Sequence, residues 1–235
     1  MPIATRELLT DLIIIFQLAC KNAAKRMRTK IDIWLILNIF LKKHILCVMN
    51  LFMTQKIVSH ILNLLQTKGA DIQYGNEDVT QLEHALQCAE LAEQKEFSNE
   101  LITAALLHDI GHLLYDGKDP IYKGVDGHHE NLGANYLSEY FGEEVIRPIG
   151  AHVDSKRYLS RVDENYYNLL SEASKISLIA QGGPFTKEEA EEFIKKPFMK
   201  EAVELRRLDD LSKILNKKTP DIFHFRQYVE QSLKK

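Results

Sequence analysis

The sequence predicts an all-α fold, a helical bundle built as one principal domain. Three observations predict it. From Met53 onward apolar residues recur at intervals of three and four, as in Ile57, Ile61, Leu64 and Leu65. No stretch alternates with period two for long enough to make a strand. Capping residues, glycines and prolines cut the chain into helix-length pieces. With 235 residues the chain can bury one substantial core, and two would be a squeeze. An apolar content of 45% excludes a disordered chain, and no internal repeat argues for a solenoid.

The first fifty residues stand apart. They carry eight Lys/Arg against three acids, a balance of +5, which leaves -8 for the rest of a chain whose net charge is -3. They also hold Trp34 and two apolar runs, 12–20 and 33–41. Each run is shorter than the roughly 18–20 residues that span a bilayer. Such a segment reads as a membrane-surface anchor, as a signal peptide lacking a small-residue cleavage site, or as an accessory helical arm. We expect 53–235 to be the functional domain and 1–52 to derive from a misassigned start.

The helices then follow in order. A first one from Met53 ends at Gly69, a C-terminal stop. Thr80 caps the next, carrying Leu82, Ala85, Leu86, Cys88, Ala89 and Leu91. Ser98 caps 98–114, apolar around most of its circumference and therefore central. Residues 115–127 are a loop, 128–142 are helical, and 143–159 form a helix with an early proline. One or two helices lie in 163–183 before the turn Gly182-Gly183-Pro184. Thr186 caps 186–196, Pro197 interrupts, and 198–215 is the last long helix.

The chemistry sits on the central helix. In "AALLHDIGHLL" His108 and Asp109 interrupt an apolar segment. Burying an ionised carboxylate there without a partner costs several kcal/mol. A metal ion supplies the missing charge and orders both side chains. Further candidate ligands are His84, His129, His152 and Asp209. Imidazole and carboxylate without thiolate suit Fe, Mn, Zn, Co or Ni, and an aspartate can bridge two metals. His44, His60, His128 and His224 read as ordinary histidines. His112, one turn after His108, is a ligand, an outer-sphere group or a substrate contact. Asp209-Asp210 shares a helix face with Arg206 and Lys213, and a surface row of ion pairs explains that spacing equally well. Cys20, Cys47 and Cys88 form no CxxC pair and read as core residues in a reducing, cytoplasmic protein. The net charge argues against a nucleic-acid partner, and no firm membrane association is expected.

The segments "YGNEDVTQLEHALQCAELAE", "AALLHDIGHLL", "GVDGHHENLGANYL", "HVDSKRYL", "AQGGPF" and "LRRLDDLSK" together resemble the HD superfamily, and within it the mixed-valence di-iron oxygenases of phosphonate breakdown. The resemblance covers nearly all of the chain after Met53, and the first fifty residues have no counterpart in it. It implies an HD-type helical bundle around a buried dinuclear site. The metal ligands would be His84, His108, Asp109, His129, His152 and Asp209, with Asp109 bridging. The cofactors would be two iron ions, Fe(II)/Fe(III), with O2 as co-substrate. Tyr74 and Glu77 would form a lid, the tyrosine leaving its iron position when substrate arrives and the glutamate holding the substrate's amino group. His112, Lys156, Ser174 and Arg206 would hold the phosphonate, a dianion that wants cations and hydroxyl donors. The reaction implied is oxidative cleavage of the carbon–phosphorus bond of a 1-hydroxyphosphonate such as (R)-2-amino-1-hydroxyethylphosphonate, giving glycine and phosphate. The runner-up is an HD-type phosphohydrolase acting on a nucleotide or phosphate ester through a metal-activated water. A non-enzymatic HD module is the third reading, and the complete ligand set argues against it.

Overall fold

A computed structural model describes residues 30–75, 77–115 and 127–234. Most of the basic extension (1–29), Asn76 of the lid and the loop core 116–126 lie outside the described residues. By internal packing the chain divides into Met1–Met53 and Thr54–Lys235. In the first unit Ile45, Leu46, Met49, Phe52 and Met53 are all exposed.

The described residues are helical, with isolated bridges at Gln73–Thr80 and Phe141–Leu233 and no strand. Helix α1 (Lys30–Asp71) runs through Gly69 rather than stopping there. A Cβ at Gly69 would lie 3.2 Å from Leu65 and 3.3 Å from the Leu82 nitrogen, so the glycine supplies room for the neighbouring helix. Leu41–Asp71 is apolar and long enough to cross a membrane by composition, although its Val58, Ile61, Leu62 and Leu65 are buried in the core of the second unit.

Thr80 and Glu83 close a capping box at the start of α2 (Gln81–Gln94), and Ser98 caps α3 (Asn99–Leu107). Every residue of α3 from Leu101 to Leu107 is buried, and α3 packs against α2, α5, α9 and α10, which makes it the central helix. It is shorter than the sequence predicts. The chain leaves the α-helix after Leu107 and tightens into a 3-10 turn, Ile110–Leu113. The cause is tertiary: α4 (His129–Leu137) crosses at Gly111, leaving no room for a side chain there.

α5 (Glu143–Val162) includes Pro148 in its second turn and packs along α9. The short α6 (Tyr166–Leu169) and α7 (Glu172–Ala180) follow, so 163–183 holds two helices. The Gly182-Gly183 turn takes positive φ at both residues and is pinned to α5: Arg157 donates to the Gly183 carbonyl and stacks on Phe185. That clamp sets α7 over α5. Thr186 caps α8 (Lys187–Phe193) with a capping box. α9 (Met199–Leu211) and α10 (Arg226–Ser232) complete the bundle. The last long helix therefore ends at Leu211, short of the predicted 215.

Candidate metal centre

Six acidic and imidazole side chains converge at the middle of the bundle: His84 from α2, His108 at the end of α3, Asp109 after it, His129 at the start of α4, His152 from α5 and Asp209 from α9. All are buried except His129, whose side chain is 11% exposed. Asp109 lies between two histidine pairs. Its Oδ2 is 3.7 Å from His84 Nε2 and 3.3 Å from His108 Nε2. Its Oδ1 is 3.3 Å from His129 Nε2 and 3.4 Å from His152 Nε2. Asp209 Oδ1 adds a second carboxylate to the first pair, 3.6 Å from His84 Nε2.

The tautomers follow from the backbone. His84 Nδ1 meets the Ser212 carbonyl, His108 Nδ1 that of Ala105 and His152 Nδ1 that of Ile149, at 2.7–2.9 Å. A carbonyl can only accept, so each Nδ1 carries the proton and each neutral ring turns a lone pair inward at Nε2. The inward nitrogens then face one another: 3.3 Å for His84 and His108, 3.1 Å for His129 and His152. In the first pair, facing lone pairs repel unless a proton or a metal ion stands between them. Asp109 Oδ1 is buried without a hydrogen bond, a costly state for a carboxylate oxygen. Convergent lone pairs and an orphaned carboxylate oxygen fit metal ions, and fit two better than one because Asp109 offers one oxygen to each pair.

The electrostatics agree. Burial pushes His84 down to about 4, and it holds His152 and His129 low as well, so these rings are neutral. Burial would also lower His108, yet the Asp109 charge and hydrogen bond together with the Asp209 charge lift it to about 9. Without metal, a proton on His108 takes the place of the cation.

The matching family is that of the HD domain, over residues 81–212. The chain is 45% identical over 178 residues to a hydroxymethylphosphonate dioxygenase of Gimesia maris, covering 75% of this chain and 88% of the relative. It is 40% identical over 180 residues to the [1-hydroxy-2-(trimethylamino)ethyl]phosphonate dioxygenase (glycine-betaine-forming) of Leisingera caerulea, covering 76% and 91%. An uncharacterized protein of Acanthamoeba polyphaga mimivirus is 38% identical over 196 residues, covering 81% and 89%. The chain belongs to the HD-domain family, in the branch of these phosphonate dioxygenases. It is, with them, an oxidoreductase.

Beside the HD-domain centre lies a cavity of about 290 Å³. It is lined by Tyr74, Glu77, His112, Lys156, Ser174 and Arg206, the residues the sequence analysis assigns to the lid and the phosphonate. Tyr74 stacks on His84 with ring centres 3.8 Å apart, and its hydroxyl donates to Asp209 Oδ1 at 2.9 Å. Glu77 is held in a tight turn, its N–H on the Tyr74 carbonyl, with Gly75 at φ 54. His112 stacks on His129 and is 3.9 Å from Asp109 Oδ1. Lys156 is buried and donates to Ser177. Arg206 is also buried, and part of its fork is already engaged by Asp209, Asp210 and Tyr166.

Two alternatives left open by spacing are resolved by burial. Asp209 is 1% exposed and points into the histidines, whereas Asp210 pairs with Arg206 and Tyr166, so the row is no surface feature. Lys213 does not share a helix face with Asp209, because α9 ends at Leu211 and the chain turns at Ser212. Lys213 instead reaches Ser174 and Glu77 in the cavity. Sequence reasoning missed three further neighbours. Cys88 lies with Sγ 3.6 Å from His84 Nε2, signalled only by its place one helical turn on, and burial and the Asp209 charge push its thiol up, away from thiolate. Ser171 and Ser177 serve Glu77 and Lys156; Ser171 is signalled only as the cap of α7, and no local pattern marks Ser177.

Proposed function

We propose that this protein uses O2 to cleave the carbon–phosphorus bond of a 1-hydroxyphosphonate, releasing a carboxylate and phosphate. The observation that carries this reading is Asp109 presenting one oxygen to each of two histidine pairs. The kinship with two phosphonate dioxygenases supports it. On this reading His84, His108 and Asp209 would hold one iron and His129 and His152 the other, with Asp109 offering an oxygen to each. A mixed-valence iron pair bound there would supply a Lewis acid for the substrate's oxygens and a redox centre for O2, whose reducing electrons come in net from the substrate's C–H and C–P bonds.

The chain's own residues bind and orient. Lys156, Ser174 and His112 offer an ammonium, a hydroxyl and an imidazole to the phosphonate, with Arg206 behind them. Tyr74, held on Asp209, gives way to the substrate's hydroxyl end. The cavity's small volume excludes bulk water once it is filled. Substrates in this class run from hydroxymethylphosphonate to 2-amino-1-hydroxyethylphosphonate, whose product is glycine, and its trimethylammonium analogue.

The test is phosphate release by the Fe(II)-loaded protein with and without O2. Oxygen-dependent phosphate matched by an equal amount of carboxylate is expected. Phosphate released equally without O2 would replace this reading with a hydrolytic one.

A further inference from the structure

A 1-hydroxyphosphonate has a phosphonate end and a second end, the substituent on its hydroxyl-bearing carbon. Candidate substrates differ only at the second end, which carries hydrogen, an aminomethyl group or a trimethylammonium-methyl group. A cationic substituent is best matched by a nearby carboxylate. Of the acids lining the cavity among the described residues, Asp109 and Asp209 belong to the histidine cluster, which leaves Glu77.

Glu77 is already matched within the fold. Its Oε1 accepts from the Ser171 hydroxyl at 2.6 Å and lies 3.9 Å from Lys213 Nζ. Lys213 is itself anchored: it donates to Ser174 Oγ at 2.9 Å and sits 5.5 Å from the centre of the Tyr74 ring. The lysine side chain is 11% exposed and the glutamate 20%, so water screens the pair weakly.

We infer that Lys213 is a specificity residue: its ammonium occupies the cation position beside Glu77, so the site selects 1-hydroxyphosphonates without a cationic substituent, such as hydroxymethylphosphonate. This rests on the phosphonate-dioxygenase reading above. A substrate ammonium reaching Glu77 would face the Lys213 ammonium within a few ångströms or have to displace it from Ser174. Two like charges around one partly buried carboxylate weaken binding by about ten- to hundredfold. A substrate with hydrogen at that carbon meets neither obstacle. A trimethylammonium group meets both, and it needs more of a small cavity.

The experiment measures affinity of the iron-loaded protein for hydroxymethylphosphonate, 2-amino-1-hydroxyethylphosphonate and the trimethylammonium analogue by calorimetry without O2. Oxygen-dependent phosphate release from each is measured in parallel. The expected wild-type order places hydroxymethylphosphonate first by about tenfold or more. Lys213→Met and Lys213→Gln shift the ratio toward the amino compound by a similar factor. A wild-type preference for either cationic phosphonate overturns the inference without any variant. So does an equal loss of affinity for all three in both variants, since Lys213 would then be a ligand of the phosphonate. If no compound gives oxygen-dependent phosphate, the reading of the reaction fails, and the affinity order still settles the selectivity.

Discussion

Gly111→Ala adds one methyl group where the turn after α3 meets α4. The new Cβ would lie 2.0 Å from the His129 carbonyl oxygen, 2.8 Å from its carbon and 3.0 Å from the Gly133 nitrogen. Ordinary contact is about 3.4 Å, so the closest approach is short by about 1.4 Å. All three atoms are backbone, and no rotamer change relieves them. Overpacking a tight core by one carbon costs about 1–3 kcal/mol, and a backbone clash belongs at the upper end. At about 2–4 °C per kcal/mol for a domain of this size, the metal-free variant should melt about 6–12 °C below wild type. The displacement also has a specific consequence for the site. It drives the start of α4 away from the 3-10 turn and so separates His129 Nε2 from Asp109 Oδ1, now 3.3 Å apart. His84 and Asp209 are carried by α2 and α9, outside the displaced contact. Metal content after loading should therefore fall from two ions toward one. Thermal melts of the metal-free protein and elemental analysis of the loaded protein check both arms. A variant that melts within about 2 °C of wild type and holds two ions would refute the argument that this close approach builds the second half of the site.

Three other perturbations probe the remaining parts. His108→Ala should lose metal and activity together, read by elemental analysis and phosphate release; retention of two ions would remove His108 from the ligand set. Tyr74→Phe keeps the ring that stacks on His84 and deletes the donor to Asp209. A hydrogen bond to a carboxylate contributes about 1.5–3 kcal/mol, so a tyrosine that must move for substrate should, once freed, raise substrate affinity about tenfold or more. Anaerobic titration reads this, and unchanged affinity would show that Tyr74 stays in place. Burial, and then the Arg206 charge, push Lys156 down to about 7, with Lys213 adding to the effect and Asp209 and Asp210 opposing it. Its charged form, which the phosphonate needs, is present below that value and lost as pH rises through it. kcat/KM should therefore fall above about pH 7 and lose this limb in Lys156→Met; a wild-type profile flat to about pH 9 would take Lys156 out of phosphonate binding.

Local chemistry is what the sequence makes legible. Thr80, Ser98 and Thr186 all act as the caps the sequence predicts, because a cap needs only its own first turn. Gly69 misleads, and Gly111 goes unread, for the opposite reason. Each supplies space to another helix, and the partner atoms, the Leu82 nitrogen and the His129 carbonyl, are distant in sequence. The choice between Asp209 and Asp210 is of the same kind. Both sit one turn from Arg206, and only the packing of α9 on α5 and α2 shows which faces the histidines. Lys213 is the largest departure. A helix continued through 215 puts it in register with Asp209, but the peptide at Ser212 turns inward so that its carbonyl accepts from His84 Nδ1. The bond that orients a histidine is also what ends the helix and sends Lys213 into the cavity.

That economy of backbone runs through the centre. His108 and His152 are each oriented by the carbonyl three residues earlier in their own segment, Ala105 and Ile149. These rings are therefore aimed by secondary structure alone, before any metal is present. The cost is inward nitrogens 3.3 Å apart at His84 and His108 and a buried carboxylate oxygen of Asp109 without a hydrogen bond. A proton on His108 relieves one half of that cost, since the Asp109 and Asp209 charges outweigh its burial. In the other half burial keeps both His129 and His152 low, so both rings there are neutral. The two halves of the site thus differ in what they demand of a cation, although one aspartate joins them. His129 and His152 line the cavity, whereas His84 and His108 lie behind it. Such an asymmetry suits a pair of metals asked to do different things, one holding substrate oxygens and the other meeting O2.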